Sequence, residues 1–164
     1  MKENVDVSII IVSFNTSELT IRCLASISQA MTAKDNWEII VVDNASTDGS
    51  SKKISNFQFP NFNVKIIQNK QNLGFARANN IGIKKSQARY ILLLNSDTEV
   101  PKGALQAMVA FMDAHPKAGA ATCKLVLADG GMDPACHRGF PTPWAALTYF
   151  MGFERLLPHS RIFA

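Results

Sequence analysis

Along the chain, near-continuous apolar runs alternate with stretches whose apolar residues recur every three or four positions. The first run, VSIIIVSF (7–14), is rich in β-branched residues and almost unbroken, as a strand covered on both faces requires. Leu19, Cys23, Leu24, Ile27 and Met31 follow at helical spacing, which predicts an amphipathic helix with Ser17 as its cap. WEIIVVD (37–43) predicts a second strand, and NASTDGS (44–50) is a cluster of turn formers and caps leading into a short helix over 51–57. VKIIQ (64–68) reads as a third strand, 75–86 as a helix and RYILLL (89–94) as a fourth strand. Pro101 suits the first turn of a helix whose apolar face carries Leu105, Met108, Val109 and Met112. Residues 118–127 predict a fifth strand, with Asp129, Gly130 and Gly131 as a turn. From Met132 onward Pro134, Gly139, Pro141 and Pro143 break the pattern until Trp144 begins a helix-like stretch to Leu157. Strands alternating with helices predict an α/β fold with a mostly parallel sheet and right-handed crossovers. No linker divides the chain, so residues 1–164 are expected to form one domain.

Composition narrows the class. With 47% hydrophobic and 18% charged residues, 164 residues suffice for one sizeable core. A net charge of +4 suits an anionic ligand, but Lys and Arg are scattered with no run longer than two, which argues against nucleic acid as a partner. Cys23, Cys123 and Cys136 form no C-x-x-C pair and read as structural thiols of a reducing compartment. The run 7–14 is too short to span a membrane and lacks the charged front and cleavage site of a signal peptide, so a cytoplasmic location is expected.

The candidate chemistry lies where the strands end. In an open parallel sheet, ligands bind outside the carboxyl ends of the strands. Ser13 and Asn15 end the first strand, Asp43 the second, Asn72 and Gly74 follow the third, and Asn95 and Asp97 end the fourth. Asp43 can direct a carboxylate at a base or ribose, with Asp48 in the adjoining turn, although a turn and a helix cap account for the same residues. Gly74 before a helix and Arg77 one turn inside it offer free N–H groups, a positive helix end and a guanidinium to a diphosphate, against a glycine turn with a solvated arginine. There is no Walker loop and no G-x-G-x-x-G fingerprint. Asp97, held at a strand end, can share Mg²⁺ or Mn²⁺ with diphosphate oxygens, or be a plain strand-end turn residue.

VSIIIVSFN (7–15), VVDNASTDGS (41–50), NLGFARANNIG (72–82) and LLLNSDT (92–98), in this order, resemble the signature blocks of family 2 glycosyltransferases. They look most like the rhamnosyltransferase-like branch that builds bacterial surface polysaccharides. The resemblance runs from about Val7 to Leu157. It implies the glycosyltransferase A-type, Rossmann-like fold and transfer, with inversion, from a nucleoside-diphosphate sugar of the UDP or dTDP type to a hydroxyl of a saccharide or lipid-linked acceptor. It also implies a divalent cation, Mg²⁺ or Mn²⁺, on the diphosphate. By matched position Asn15 and Asp43 lie near the nucleoside, Asp48 in the adjoining loop, Arg77 near the nucleotide, and Asp97 is the last acidic residue of a D-x-D metal motif. Asn95 stands at the first acidic position of that motif, which removes one negative charge.

Direct displacement needs a base for the acceptor hydroxyl. Asp129 and Asp133 are the candidates within the chain, both in a loop where a solvated turn explains them as well, and His137 is a candidate for acceptor contact. In the family resembled, the base comes from an acidic pair in a later block, and no acidic residue follows Glu154. The expectation is therefore an N-terminal part of a longer enzyme, with residues from about 132 forming an irregular acceptor-side loop and helix, that binds donor but transfers little sugar. The apolar stretch 144–157 is expected to pack on further sequence, a second copy of the chain or a membrane surface, which allows a peripheral location at the inner face of the cell membrane. Two other readings compete. A non-catalytic nucleotide-binding module would bind nucleotide without consuming donor; a sugar-1-phosphate nucleotidyltransferase would need a glycine-rich basic N-terminal loop, and residues 13–18 contain neither glycine nor a basic residue.

Overall fold

The computed structural model describes residues 5–56, 64–133 and 142–153. The chain divides into two compact units, Met1–Ala110 and Phe111–Ala164. The first contains β1 (Val7–Ser13), α1 (Ser17–Ala30), β2 (Trp37–Asp43), α2 (Ser50–Asn56), β3 (Val64–Gln68), α3 (Phe75–Lys85) and β4 (Tyr90–Asn95). Helix α4 (Ala104–Ala114) begins in the first unit, and α5 (Pro143–Phe150) lies in the second.

The four strands form one parallel sheet in the order β3-β2-β1-β4. Strand alternation sorts the core into two layers. Ile9, Ile11, Ile39 and Val41 face one side, where they meet Cys23, Leu24 and Ile27 of α1, Ile54 of α2 and Leu105 of α4. Ile10, Ile40 and Val42 face the other, against Ala78 and Ile83 of α3. Strand β1 is buried on both faces, which is why its sequence shows no polar alternation. Strand β4 lies at the sheet edge and does alternate: Tyr90, Leu92 and Leu94 join the first layer, while Ile91 and Leu93 are exposed.

Register fixes where the strands stop. Ser13 pairs with Asp43, Asp43 with Gln68, and Val12 with Asn95, so all four carboxyl ends reach the same edge. Backbone bonds from Asn44 N–H to the Ser13 carbonyl (2.8 Å) and from Asn69 N–H to the Asp43 carbonyl (2.9 Å) carry the ladder into the loops.

Several expectations shift by a few residues, and one fails. The cap of α1 is Thr16, without a side-chain cap bond, and Ser17 is the first helical residue. Pro101 precedes α4, whose first residue is Ala104; the Ala104 N–H bonds the Pro101 carbonyl in a turn before the helix. No strand forms over 118–127 among the described residues. That stretch carries one isolated bridge, Val126 with Met132, around the expected turn at 129–131. Its first half is Ala, Gly and Thr, which offer little side chain for a pleated surface, and its apolar residues Leu125, Val126 and Leu127 are exposed. Helix α5 runs over 143–150, against the expected 144–157; Phe57, Cys136, His137 and 154–157 lie outside the described residues.

The two layers leave no room where α3 crosses β1. A Cβ built on Gly82 would sit 2.5 Å from Cγ2 of Ile10, a fully buried residue flanked by strands on both sides. Alanine in place of glycine favours a helix by about 1 kcal/mol, whereas overpacking a tight core costs about 1–3 kcal/mol. Gly82→Ala is expected to lower the urea midpoint. An unchanged or higher midpoint would show that the contact relaxes freely.

Candidate functional site

Four loops leave the shared strand edge and enclose an open cleft of about 390 Å³, toward the lower end of the roughly 300–1,000 Å³ usual for small-molecule sites. Of the residues expected from sequence, Asn72, Gly74, Asn95 and Asp97 line it. Phe14, Thr16, Asn44, Phe75 and Ser96 complete most of the wall, and none of these was singled out from sequence as a site residue. Phe14 and Phe75, 44% and 58% exposed, are informative because a large ring at a cleft wall offers an apolar face to a ligand. Their signal in the sequence was an aromatic residue beside a candidate one, Phe14 before Asn15 and Phe75 after Gly74.

The remaining expected residues are not part of its lining. Ser13 is buried in a hydroxyl cluster: Thr20 Oγ1 donates to the Thr16 carbonyl (2.8 Å) and lies 3.1 Å from Ser13 Oγ, and Thr16 Oγ1 reaches Ser96 Oγ at 3.3 Å. Asn15 adopts a left-handed backbone (φ 54°), which asparagine tolerates better than most residues. Its Oδ1 accepts the Thr47 N–H (2.8 Å) and its own N–H donates to Ser46 Oγ (2.9 Å), so β1 is tied to the loop after β2. Asp43 is buried, and its Oδ1 accepts the Ser46 N–H (3.2 Å) and the Ser46 hydroxyl. Ala45, between them, is held at φ 68°, a conformation costing a residue with a Cβ about 1–2 kcal/mol. Arg77 is exposed on α3.

Asn44 joins two of the loops. It is 3% exposed, its Nδ2 donates to Asn72 Oδ1 (2.7 Å), and its Oδ1 accepts the Leu73 N–H (3.0 Å) and Asn69 Nδ2 (3.0 Å). Asn72 Oδ1 in turn accepts the N–H of Gly74 (2.9 Å), the cap residue of α3. Gly74 has φ 78°, a region suited to glycine. The carbonyl of this cap accepts the Ala78 N–H at 3.1 Å.

Among the described residues no group of three or more His, Cys, Asp and Glu side chains is placed to hold a metal ion. Asn95, Ser96 and Asp97, which line the cleft, carry one carboxylate together with an amide and a hydroxyl oxygen. That donor set fits Mg²⁺ or Mn²⁺ shared with a ligand's phosphates rather than an ion held by protein alone. Negative charge here is felt nearby: the thiol of Cys23 is pushed up to about 12, first by burial and then by Asp97 and Glu99. Asp129 accepts the Gly131 N–H in its turn (2.8 Å), the local role that a plain turn residue plays, and Asp133 lies in the same loop.

The model of the family described as glycosyl transferase family 2 matches residues 8–153. A putative teichuronic acid biosynthesis glycosyltransferase, TuaG of Bacillus subtilis, is 31% identical over 77 residues, 47% of this chain and 31% of that protein. A poly(ribitol-phosphate) beta-N-acetylglucosaminyltransferase, TarS of Staphylococcus aureus, is 27% identical over 109 residues, 66% of this chain and 19% of that one. The crystal structure of S. aureus TarS 1-349 in complex with UDP-GlcNAc superposes with a TM-score of 0.61 at 26% identity, covering 68% of this chain and 32% of that chain. A mannosyltransferase from Pyrobaculum calidifontis in complex with GDP-Man and Mn²⁺ has a TM-score of 0.57 at 22% identity over 66% and 31% of the two chains, a likeness of fold. The chain thus spans about a fifth to a third of the length of these relatives. They do not single out the rhamnosyltransferase-like branch. No described helix is long and apolar enough to cross a membrane.

Asp48 supplies the electrostatic test of the neighbouring loop. Its Oδ1 accepts the Ser50 hydroxyl and the Ser50 N–H (2.9 Å) at the start of α2, which holds its carboxyl below the usual range, the hydroxyl bond contributing most. The sign follows from linkage: this stabilisation is present above the unfolded-state pKa and is lost as pH falls through the lower folded-state value. Ser50→Ala is expected to raise the Asp48 titration midpoint measured by carboxyl NMR. Identical midpoints in variant and parent would remove the hydroxyl as the cause.

Proposed function

The chain belongs to glycosyl transferase family 2, and from that membership we propose that it binds a nucleoside-diphosphate sugar of the UDP or dTDP type and serves inverting transfer of the sugar to a saccharide or lipid-linked acceptor in bacterial surface polysaccharide synthesis. The observation that carries the reading is the convergence of Asn72, Gly74 and Phe75 with Asn95, Ser96 and Asp97 on one cleft at the carboxyl edge of a parallel sheet. The relatives' names support the polysaccharide class, and UDP-GlcNAc in TarS supports the donor class.

In this reading the nucleoside lies over the first two loops. Asp43, whose Oδ1 serves the turn, directs Oδ2 at ribose or base donors. Asn15, with Ser13 beneath it, sets the height of the adjoining loop, and Asp48 anchors the far end of that loop to α2. The diphosphate lies at the start of α3, where Gly74 allows close backbone approach and Arg77 supplies positive charge. Asp97, with Asn95 beside it, would hold Mg²⁺ or Mn²⁺, which when bound offsets charge on the diphosphate. The acceptor oxygen forms the new bond to the anomeric carbon as the bond to the leaving phosphate oxygen breaks, and the departing diphosphate keeps the electron pair. The hydroxyl proton passes to a carboxylate base.

Ligand-induced stabilisation grows with concentration above the dissociation constant, so thermal shift reads these roles directly. UDP is expected to raise the melting temperature more with Mn²⁺ than with EDTA, and Asp97→Ala to abolish that difference. Asp43→Ala is expected to weaken uridine binding by about tenfold, the cost of a lost hydrogen bond to a charged group. A full cation effect in Asp97→Ala would refute the metal assignment, and parental uridine affinity in Asp43→Ala would return that residue to its turn.

A further inference from the structure

Resting on the nucleotide-sugar reading of the cleft, we infer that Asn44 is a positioning residue for the donor, acting through Asn72 and Gly74 to set the start of α3 against the strand-end loops. The wall of the cleft is built from loops that follow different strands, and the main-chain register of the strands alone does not fix the distance between those loops. The ladder extension ends at Asn69, whose N–H bonds the Asp43 carbonyl. Beyond it, among the described residues, the Asn44 side chain bonds the loop at Leu73 and Asn72, and Asn72 in turn bonds Gly74.

The bonding is directional. An asparagine amide has a carbonyl oxygen that only accepts and an NH₂ that only donates. Asn44 Oδ1 is occupied by the Leu73 N–H and by Asn69 Nδ2, and Nδ2 is committed to Asn72 Oδ1. Asn72 Oδ1 then accepts both that bond and the Gly74 N–H, and Gly74 is the cap from which the first turn of α3 starts. Asn44 is 3% exposed and forms part of the cleft wall, with Oδ1 accepting twice and Nδ2 donating once within the protein, so most of its amide is committed to the loop rather than to a ligand. Its influence on a ligand passes through the placement of Gly74 and Phe75, both of which line the cleft. A buried amide with three of its four bonds made within the protein favours one arrangement, because another would leave a donor or acceptor without its partner.

Two substitutions separate the links of this chain. Asn44→Asp keeps an acceptor for Leu73 and Asn69 but sets a carboxylate oxygen against Asn72 Oδ1, so the bond to Asn72 is lost and Gly74 loses its anchor. Asn44→Ala removes every link. Amide exchange by NMR and UDP affinity by calorimetry are measured on the full chain, with exchange in β1 and β2 as the control for global stability. The inference expects faster exchange at Gly74 in Asn44→Asp, and at both Leu73 and Gly74 in Asn44→Ala. UDP affinity should fall about tenfold or more in each, while the amides of residues 9–11 and 39–42 keep their protection. A merely structural contact would lower protection throughout and leave affinity intact wherever the protein is folded. If the parent binds UDP and both variants bind it equally well, the inference is overturned and the nucleotide reading stands. If the parent binds neither UDP, dTDP nor their sugars, with or without Mn²⁺, both are overturned. Unfolding of Asn44→Ala alone leaves Asn44→Asp, which replaces one atom of the amide, to decide.

Discussion

Parallel pairing of β1 with a neighbour on each side is the constraint from which the remaining structure follows. A strand buried on both faces and paired along both edges must spend all its side chains on packing, so the chain's first run is almost wholly apolar. Because β2 and β4 run parallel to it, every connection crosses over a face of the sheet as a helix, and every strand ends at the same edge. The polar residues that cannot enter the core are thereby collected in one place. The site is the consequence of strand direction before it is the consequence of any one side chain.

Strand direction brings the loops to one edge, but it does not hold them in register with one another. That task falls to side chains bonding across loops: Asn15 and Ser46 between the first two, Asn44 with Asn69 and Asn72 between the second and third, Thr16 and Ser96 between the first and fourth. Most of these contacts use short polar side chains, whose limited reach forces the backbones close. The left-handed conformations at Asn15 and Ala45 fall within this zone, in keeping with the tendency of backbone strain to gather where a structure is over-determined for function. The mechanism proposed for donor binding draws on that rigidity. Donors aimed at a diphosphate act most strongly when they need not reorganise to meet it.

The fold was legible where burial dictates composition. The four apolar runs and the helical spacing of Cys23, Leu24 and Ile27 can arise in few other ways. The failure at 118–127 has the opposite cause: Ala and Gly satisfy many backbones, and a strand needs a partner that a local pattern cannot reveal. The site was legible as a set of positions, since polar residues at strand ends report the sheet edge. Their division of labour was not. Asp43 and Asp48 look alike in sequence, yet one is buried in a turn and the other is an exposed anchor of α2. Asn44 was passed over beside Asp43 because its importance lies in partners some 25 to 30 residues away in sequence, which no local reading can supply.

That one sheet edge forms a single nucleotide site can be decided by backbone amide chemical shifts of isotope-labelled protein titrated with UDP and Mg²⁺. A single site predicts that residues 13–16, 43–48, 72–77 and 95–97 shift together with one common dissociation constant, while the opposite edge, around 5–7, 36–38 and 88–90, stays unmoved. Shifts confined to one loop, or gathered at the opposite edge, would contradict it.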